Sequence, residues 1–345
     1  MKVLITGAGA PGIRGTLYSL RNNWERRKLA TIGVDMKSEA VGKYLCDKFY
    51  HVPPAKDEDF ISTLLNICEK DRVDVVLPQV TSELLPLAKN KKNFEKIGTI
   101  VAVSDLDTIN LTNNKHRLLE TAKKLEIPCP RFFSVRNWKE LEKAAEELDF
   151  PFVVKPPVAS GMRGFRIIHR CVDRKKAFYE EKPDSSTITI DELHGILGAD
   201  FPDLIAMEFL PGKEYSVDVL SSKQRVYAVV PRSRDLIRTG ITFNGTVQKR
   251  DDIIEYSQKI VTETGLEFAC GLQFRDDCEG VPKIIESNPR IQGTMVLSTL
   301  AGANIVYGTV KLAINENVPE FSIRWGTRLF RYWGGIGKNG KVSEI

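Results

Sequence analysis

Residues 266–293, LEFACGLQFRDDCEGVPKIIESNPRIQG, read as two strands joined by a tight turn. Apolar and β-branched residues run on either side of the turn-rich Asp276-Asp277-Cys278-Glu279-Gly280. Side chains alternate faces along a strand, so Glu286, Asn288 and Arg290 are expected on one side, with Gln273 in reach on the neighbouring strand. That is a small oxygen-rich cage with a guanidinium beside it. Hard cations such as Mg²⁺ take carboxylate and carbonyl oxygens while keeping waters and substrate phosphates as further ligands. The arginine suits bidentate contact with a phosphoryl or acyl oxyanion. Taken singly, Glu286 and Arg290 would read as a surface ion pair and Asn288-Pro289 as the start of a turn.

The order of these residues carries more than any one of them. Gln273 followed thirteen residues later by Glu286-Ser287-Asn288-Pro289-Arg290 resembles the metal strand pair of the ATP-grasp superfamily. The resemblance is closest to the large chain of carbamoyl-phosphate synthase and its short relatives. It implies that Gln273, Glu286 and Asn288 hold Mg²⁺ or Mn²⁺ under the ATP phosphates, with Arg290 acting on the reacting groups.

The chain has 345 residues, which favours two or three domains over a single core. Its 42% apolar and 28% charged residues are ordinary for a globular protein. The net charge of +5 is modest, and no basic run interleaved with aromatics points to nucleic acid. No apolar run approaches the roughly 20 residues of a membrane span, and no signal peptide is read at the N-terminus, so a cytoplasmic protein is expected. The six cysteines lie far apart with no CxxC, which suggests neither zinc nor a disulfide framework.

Lys2 to Thr6 form a strand leading into Gly7-Ala8-Gly9-Ala10-Pro11-Gly12 and a helix over about 12–22. The next strand, about 30–34, ends on Asp35. On pattern alone this is a dinucleotide fingerprint with an acid placed for a ribose. The rival reading is therefore an NAD(P)-dependent oxidoreductase. A reductase of the short-chain type also needs a Tyr and Lys four apart, and Tyr307 with Lys311 stands in the wrong context. In the short ATP-grasp ligases that this chain resembles, a similar glycine turn opens an N-terminal domain without NAD. Further strands at 73–77 and 99–103 alternate with helices at 57–69 and 82–89, arguing for a parallel sheet. Gln79 to Glu83 follow a strand's carboxyl end, where such sheets place ligands, but Glu83 reads as a helix-start acid.

A helix over about 113–126 starts with Lys115, against the macrodipole. Strand 150–156 ends on Lys155, and Ser160-Gly161-Met162-Arg163-Gly164 leads to a second strand at 165–169. Paired with the glycine turn, Lys155 can reach phosphates while loop N–H groups cover them. The resemblance makes Lys115, Lys155, Ser160, Gly161 and Gly164 phosphate contacts, with Lys155 also catalytic, and this hairpin the lid. Residues 173–202 read as a charged, mostly helical excursion with a solvated face. The break at Leu210-Pro211-Gly212 forms a hinge, where the resemblance implies that Glu208, Phe209 and Leu210 offer backbone groups to adenine and Glu214 accepts from the ribose. Of the arginines at 232, 234 and 238, Arg234 and Arg238 are taken for the substrate carboxylate and acyl phosphate, with Arg238 also catalytic. Helices are expected at 252–264 and 299–314, and the tail from Trp325 as an edge strand and a frayed end.

The expected fold is α/β and α+β: an ATP-grasp fold with a Rossmann-like N-terminal domain over 1–112, a lid subdomain with linker helix over 113–206, and a body with the metal site over 207–345. The implied activity is an ATP-dependent carboxylate-amine ligase that forms an acyl phosphate on a small metabolite and releases ADP and phosphate. Its partners would be a small-molecule carboxylate and amine, with no nucleic acid and no membrane, and an exposed sheet edge makes a homodimer possible. Besides the oxidoreductase, an ATP-binding regulatory protein without turnover is the other alternative.

Overall fold

The structure is a computed structural model that describes residues 1–345 apart from Ser160, Pro183, Gln224, Thr239, Gly340 and Ile345, and the backbone alone at 339, 341, 343 and 344. Its contacts divide the chain into two units. The first comprises Met1–Asn113, Glu214–Phe274 and Glu286–Ile345, the second Asn114–Lys213 and Arg275–Ile285.

In the first unit, strands β1 (Lys2–Ile5), β2 (Ala30–Asp35), β3 (Lys48–His51), β4 (Val75–Leu77) and β5 (Ile100–Val101) form a parallel sheet in the order β3-β2-β1-β4-β5. The alternation of side chains explains why both faces are covered. Val3 and Ile5 on β1, with Val75 and Leu77 on β4, enter a core shared with helix α1 (Ile13–Arg21) through Ile13, Leu17 and Leu20. Leu4 and Val76 point the other way, into a core with Phe60, Leu64, Leu87 and Phe94. Each aliphatic side chain buried this fully contributes about 1.5–3 kcal/mol. Strand order reverses between β1 and β4, so the glycine turn after β1 and Gln79 to Glu83 after β4 lie at the switch point.

The same unit carries a four-stranded sheet ordered Arg225–Ser233, Glu214–Ser222, Phe268–Asp276, Pro282–Asn288, the last two being the hairpin whose far end belongs to the second unit. Helices Asp251–Thr264 and Ile305–Ala313 pack on its strands. A three-stranded sheet pairs Leu236–Arg238, Ile241–Thr246 and Arg328–Phe330.

The second unit is built on a sheet ordered Phe132–Val135, Leu204–Glu208, Phe152–Lys155, Arg166–His169, Thr187–Thr189. Its core joins Phe152, Val154, Ile168 and Ala206 to Leu141, Ala144 and Leu148 of helix Trp138–Leu148.

Several expectations are corrected. The strand Lys48–His51 has an exposed or half-buried side chain at every position and shows no apolar alternation to read. Leu106–Thr112 is a helix of its own, ahead of the linker helix Lys115–Lys124. The excursion at 173–202 contains an edge strand, Thr187–Thr189, whose last threonine forms a capping box with Glu192 and so starts helix Ile190–Leu197. The tail is not frayed throughout: Ile336–Asn339 and Lys341–Glu344 pair as an antiparallel hairpin. No helix among the described residues is long and apolar enough to cross a membrane.

Candidate active site

On strand Pro282–Asn288 the two-residue repeat puts Glu286 and Asn288 on one face, and Gln273 stands on the neighbouring strand. Asn288 Nδ2 donates to Glu286 Oε1 at 3.2 Å, and Arg290 Nη2 donates to Asn288 Oδ1 at 3.1 Å. Arg290 Nε reaches Thr81 Oγ1 at 3.0 Å, tying the end of the hairpin to the loop after β4. Burial pulls the Arg290 guanidinium below its ordinary range, opposed by the charges of Glu286 and Glu83.

Arg234 is paired within the protein. Its Nε donates to Thr242 Oγ1 at 3.0 Å, Nη2 to Gly240 O at 2.6 Å, and Nη1 to both Glu214 Oε1 and Gln273 Oε1. Every guanidinium nitrogen of Arg234 thus has a protein partner, and Nη1 bridges Glu214 to Gln273. Arg238 is exposed and lies over the Phe243 ring, 5.0 Å from its centroid.

The donor set matches the preferences of a hard cation. One carboxylate and two amide oxygens, all on half-buried residues, suit Mg²⁺ that keeps waters and phosphate oxygens. The amide oxygens of Gln273 and Asn288 each accept from an arginine and retain a second lone pair. Among the described residues no cluster of three or more His, Cys, Asp or Glu side chains offers a different metal site.

Two buried groups escaped the sequence. Glu83 sits at the end of the 3₁₀ turn Thr81–Glu83 and at the start of helix Leu84–Lys96, as the sequence suggests, but its side chain is buried and accepts from Thr6 Oγ1 without capping the helix. Burial pushes it up to about 7 against the pull of Arg290. The signal was its place after β4, at the switch point. Gln292, the second residue after Arg290, is buried and accepts from Arg232 Nη2 at 2.8 Å. Arg232 is wholly buried, with Nε and Nη2 on the Asp218 carboxylate at 2.8 and 2.9 Å, and Ser298 Oγ adds a bond of 2.6 Å to the same carboxylate. Gln292 Nε2 fills the space of the missing Cβ of Gly271, 1.5 Å from where that atom would be. Gly271 shares a strand face with Gln273. Gln292 therefore lies on the same face of the strand as Gln273.

The crevice that a dinucleotide would need is occupied by the protein itself. Asp35 accepts from Gly9 N at 2.7 Å and from Lys37 N at 2.9 Å, so both its oxygens cap the chain's own turns. Gln79 bonds Thr16 and Thr6 beneath the glycine turn. Gly12 is required for packing: a Cβ there would meet Gly293 Cα at 2.7 Å. Tyr307 and Lys311 are spent on Glu25, at 2.6 and 2.5 Å.

The second unit brings the other expected residues together by local geometry. Asn114 caps the linker helix, and Lys115, first in that helix and buried, donates from Nζ to Ala159 O at 3.0 Å. Its backbone N–H donates to Pro157 O at 2.8 Å. Lys155, also buried, donates to Ile285 O at 3.3 Å. Both ammonium groups thus stand at the base of the turn joining the antiparallel strands Phe152–Lys155 and Arg166–His169. Gly161 and Gly164 have φ of +65° and +73°, and a Cβ on Gly164 would lie 2.6 Å from Pro156 Cδ. Ser160 lies outside the described residues.

At the hinge Glu208 is already paired in part. The Glu208 N–H donates to Arg131 O at 2.9 Å, and its carboxylate accepts from Lys283 Nζ at 3.0 Å and Arg131 N at 3.0 Å. That amide is therefore not available to a base. Phe209 is half-buried with the Arg275 guanidinium over its ring, and Leu210 is buried.

Residues 3–102 match the PylC-like, N-terminal domain, and residues 200–328 match ATP-grasp in the biosynthetic pathway with Ter operon. The carbamoyl phosphate synthase large chain of Clostridium perfringens strain 13 is 25% identical over 358 residues, covering 96% of this chain and 30% of that protein. The Clostridium beijerinckii large chain is 26% identical over 344 residues, with 92% and 30% covered. The chain thus spans about a third of the curated relatives it matches. Among solved structures, biotin carboxylase from Campylobacter jejuni in a β,γ-ATP complex superposes with a TM-score of 0.70, 16% identity, and 93% and 73% covered. N5-carboxyaminoimidazole synthetase from Staphylococcus aureus complexed with ADP gives 0.67, 16%, and 94% and 80%. L-amino acid ligase from Bacillus licheniformis gives 0.63, 17%, and 90% and 73%. The parallel-sheet N-terminal domain, the hairpin with its Gln-Glu-Asn set and these matches agree: the chain carries a PylC-like N-terminal domain over residues 3–102 and an ATP-grasp domain over residues 200–328.

Proposed function

We propose that this protein is an ATP-dependent ligase joining a small-molecule carboxylate to an amine. The observation that carries the reading is the linked row Glu286–Asn288–Arg290–Thr81, with Gln273 held by Arg234 on the adjoining strand. Gln273, Glu286 and Asn288 would hold Mg²⁺, which neutralises phosphate charge when bound. Lys115, Lys155 and the turn at Gly161 and Gly164 would orient the phosphates, and Glu214 the ribose. Phosphoryl transfer asks chiefly for positioning and charge neutralisation, and these residues supply both.

A carboxylate oxygen of the substrate attacks the γ-phosphorus, the bond to ADP breaks, and an acyl phosphate forms. Arg290 is assigned to the oxyanion and Arg238 to the substrate carboxylate. The amine nitrogen then attacks the acyl carbon and loses a proton as the C–O bond breaks and phosphate leaves. Closure of the glycine turn would keep water from the acyl phosphate. No protein nucleophile is needed. Two copies of the chain acting as a homodimer are compatible with this scheme, a biotin carboxylase neighbour being described as a dimer.

The test is calorimetry with a non-hydrolysable ATP analogue and Mg²⁺ on wild type and Glu286→Ala, with NAD⁺ and NADP⁺ in parallel. Magnesium-dependent binding lost in Glu286→Ala, without dinucleotide heat, supports the ligase and opens a screen of acid and amine pairs by phosphate release. Binding with no turnover over a broad panel would favour the regulatory alternative. Tight dinucleotide binding indifferent to Glu286 would overturn the assignment.

A further inference from the structure

A cavity of about 500 Å³ opens beside α1 in the first unit, and none of the residues assigned above to nucleotide, metal or substrate lines it. That volume suits one metabolite-sized molecule. Arg14, Arg21 and Arg331 stand in its walls, and among the described residues no acidic side chain does. Arg21 Nη2 donates to Leu45 O and Arg331 Nη2 to Pro11 O, both at 2.8 Å, so two of the guanidinium groups are anchored to backbone carbonyls at the rim. Arg331 Nη1 is buried and has no hydrogen-bond partner in the structure. Burial also pulls the Arg331 guanidinium below its ordinary range, with no carboxylate opposing. Tyr18, Phe330 and Tyr332 add aromatic surface, and they remain 44%, 59% and 77% exposed.

These features ask for one kind of occupant. Three arginines around a single cavity repel one another, and an anion among them answers that need. The remaining wall is largely leucine and aromatic, so an anion without an apolar body would leave it wet. We propose that this cavity binds a small organic anion with a flat apolar body, an aryl-alkyl carboxylate, with its carboxylate on the arginines and its ring against Tyr18, Phe330 and Tyr332. The site stands on its own geometry and does not depend on the ligase assignment.

Titration calorimetry of the full chain with phenylacetate tests it, beside phenethylamine, which has the same ring and the opposite charge, and inorganic phosphate, which has the charge without the ring. Phenylacetate should bind at one saturable site, phenethylamine not at all, and phosphate at least roughly tenfold more weakly. Arg331→Met and Arg14→Gln should each weaken phenylacetate by about tenfold, the scale of one lost charge-assisted contact. Arg331 also holds the Pro11 carbonyl, so Arg14→Gln, checked by circular dichroism and by unchanged binding of the magnesium–ATP analogue, separates ligand loss from misfolding. Equal binding of phenylacetate and phenethylamine, or no saturable binding of phenylacetate, would overturn the proposal. So would a concentration-dependent dimer that Tyr332→Asp dissolves and phenylacetate leaves untouched, because the aromatic face would then serve a second copy of the chain.

Discussion

Glu83→Gln offers a direct measurement of the polar crevice between the glycine turn and the hairpin end. The Glu83 carboxyl is raised from an ordinary 4.5 to about 7, first by burial and further by Asp35, against the opposing Thr6 hydroxyl and Arg290 guanidinium. The folded chain therefore keeps this proton where the unfolded chain has lost it. Stability from the group is fully present below pH 4.5 and is lost as pH rises through about 7. At about 1.4 kcal/mol per pH unit, the gap between those values corresponds to about 3 kcal/mol. For a unit of this size, roughly 2 °C per kcal/mol makes that about 6 °C in melting temperature. Glutamine retains an acceptor for the Thr6 hydroxyl and has no proton to lose. Melts followed by circular dichroism from pH 4.5 to 8.5, without metal or nucleotide, should show wild type losing about 6 °C relative to Glu83→Gln as pH rises. Parallel curves, or wild type gaining over that window, would refute the assignment of Glu83 as a buried, protonated acid.

The other predictions concern the same unit. Asp218→Asn leaves the wholly buried Arg232 without its counter-charge and should cost about 3–5 kcal/mol in denaturant melts, whereas Asp218→Leu with Arg232→Met should recover much of it; a double variant no better than the single one would contradict this. Gly271→Ala must displace Gln292, since its Cβ would fall 1.5 Å from Nε2, and should destabilise by roughly 1–3 kcal/mol with a larger loss of turnover than of nucleotide affinity. Arg234→Met, which frees Glu214 and Gln273, should weaken magnesium–nucleotide binding about tenfold by calorimetry; an unchanged affinity would remove its positioning role. Chelation by EDTA should abolish the heat of nucleotide binding in wild type and change little in Glu286→Gln.

The local part of the fold was legible because its signals are short in sequence. The apolar runs of β1, β2 and β4, the strand ending on Lys155 and the hairpin at 266–293 each carry their own period or turn residues. The order Gln273, Glu286, Asn288, Arg290 needs only strand alternation and one hairpin to become a cluster. Lys48–His51 and Thr187–Thr189 escaped because their strand state is set by a neighbouring strand and not by their own pattern.

What tertiary structure decided was partnership. A guanidinium reads the same in sequence whether it will meet a ligand or the protein. Arg232 is buried on Asp218, Arg234 bridges Glu214 to Gln273, and Arg290 is shared with Thr81, all through residues distant in the chain. Likewise the glycines of the first turn spell a dinucleotide fingerprint, yet Asp35 caps Gly9, and Gly12 is needed because Gly293 lies against it. The sequence by itself pointed to the ATP-grasp domain and singled out Gln273, Glu286 and Asn288 as neighbours on one hairpin, because those depend on strand alternation and a single turn. Which charged groups remain for ligands was decided by the fold, because burial and hydrogen bonding are set by whichever side chains, however far apart in sequence, come to share a volume without water.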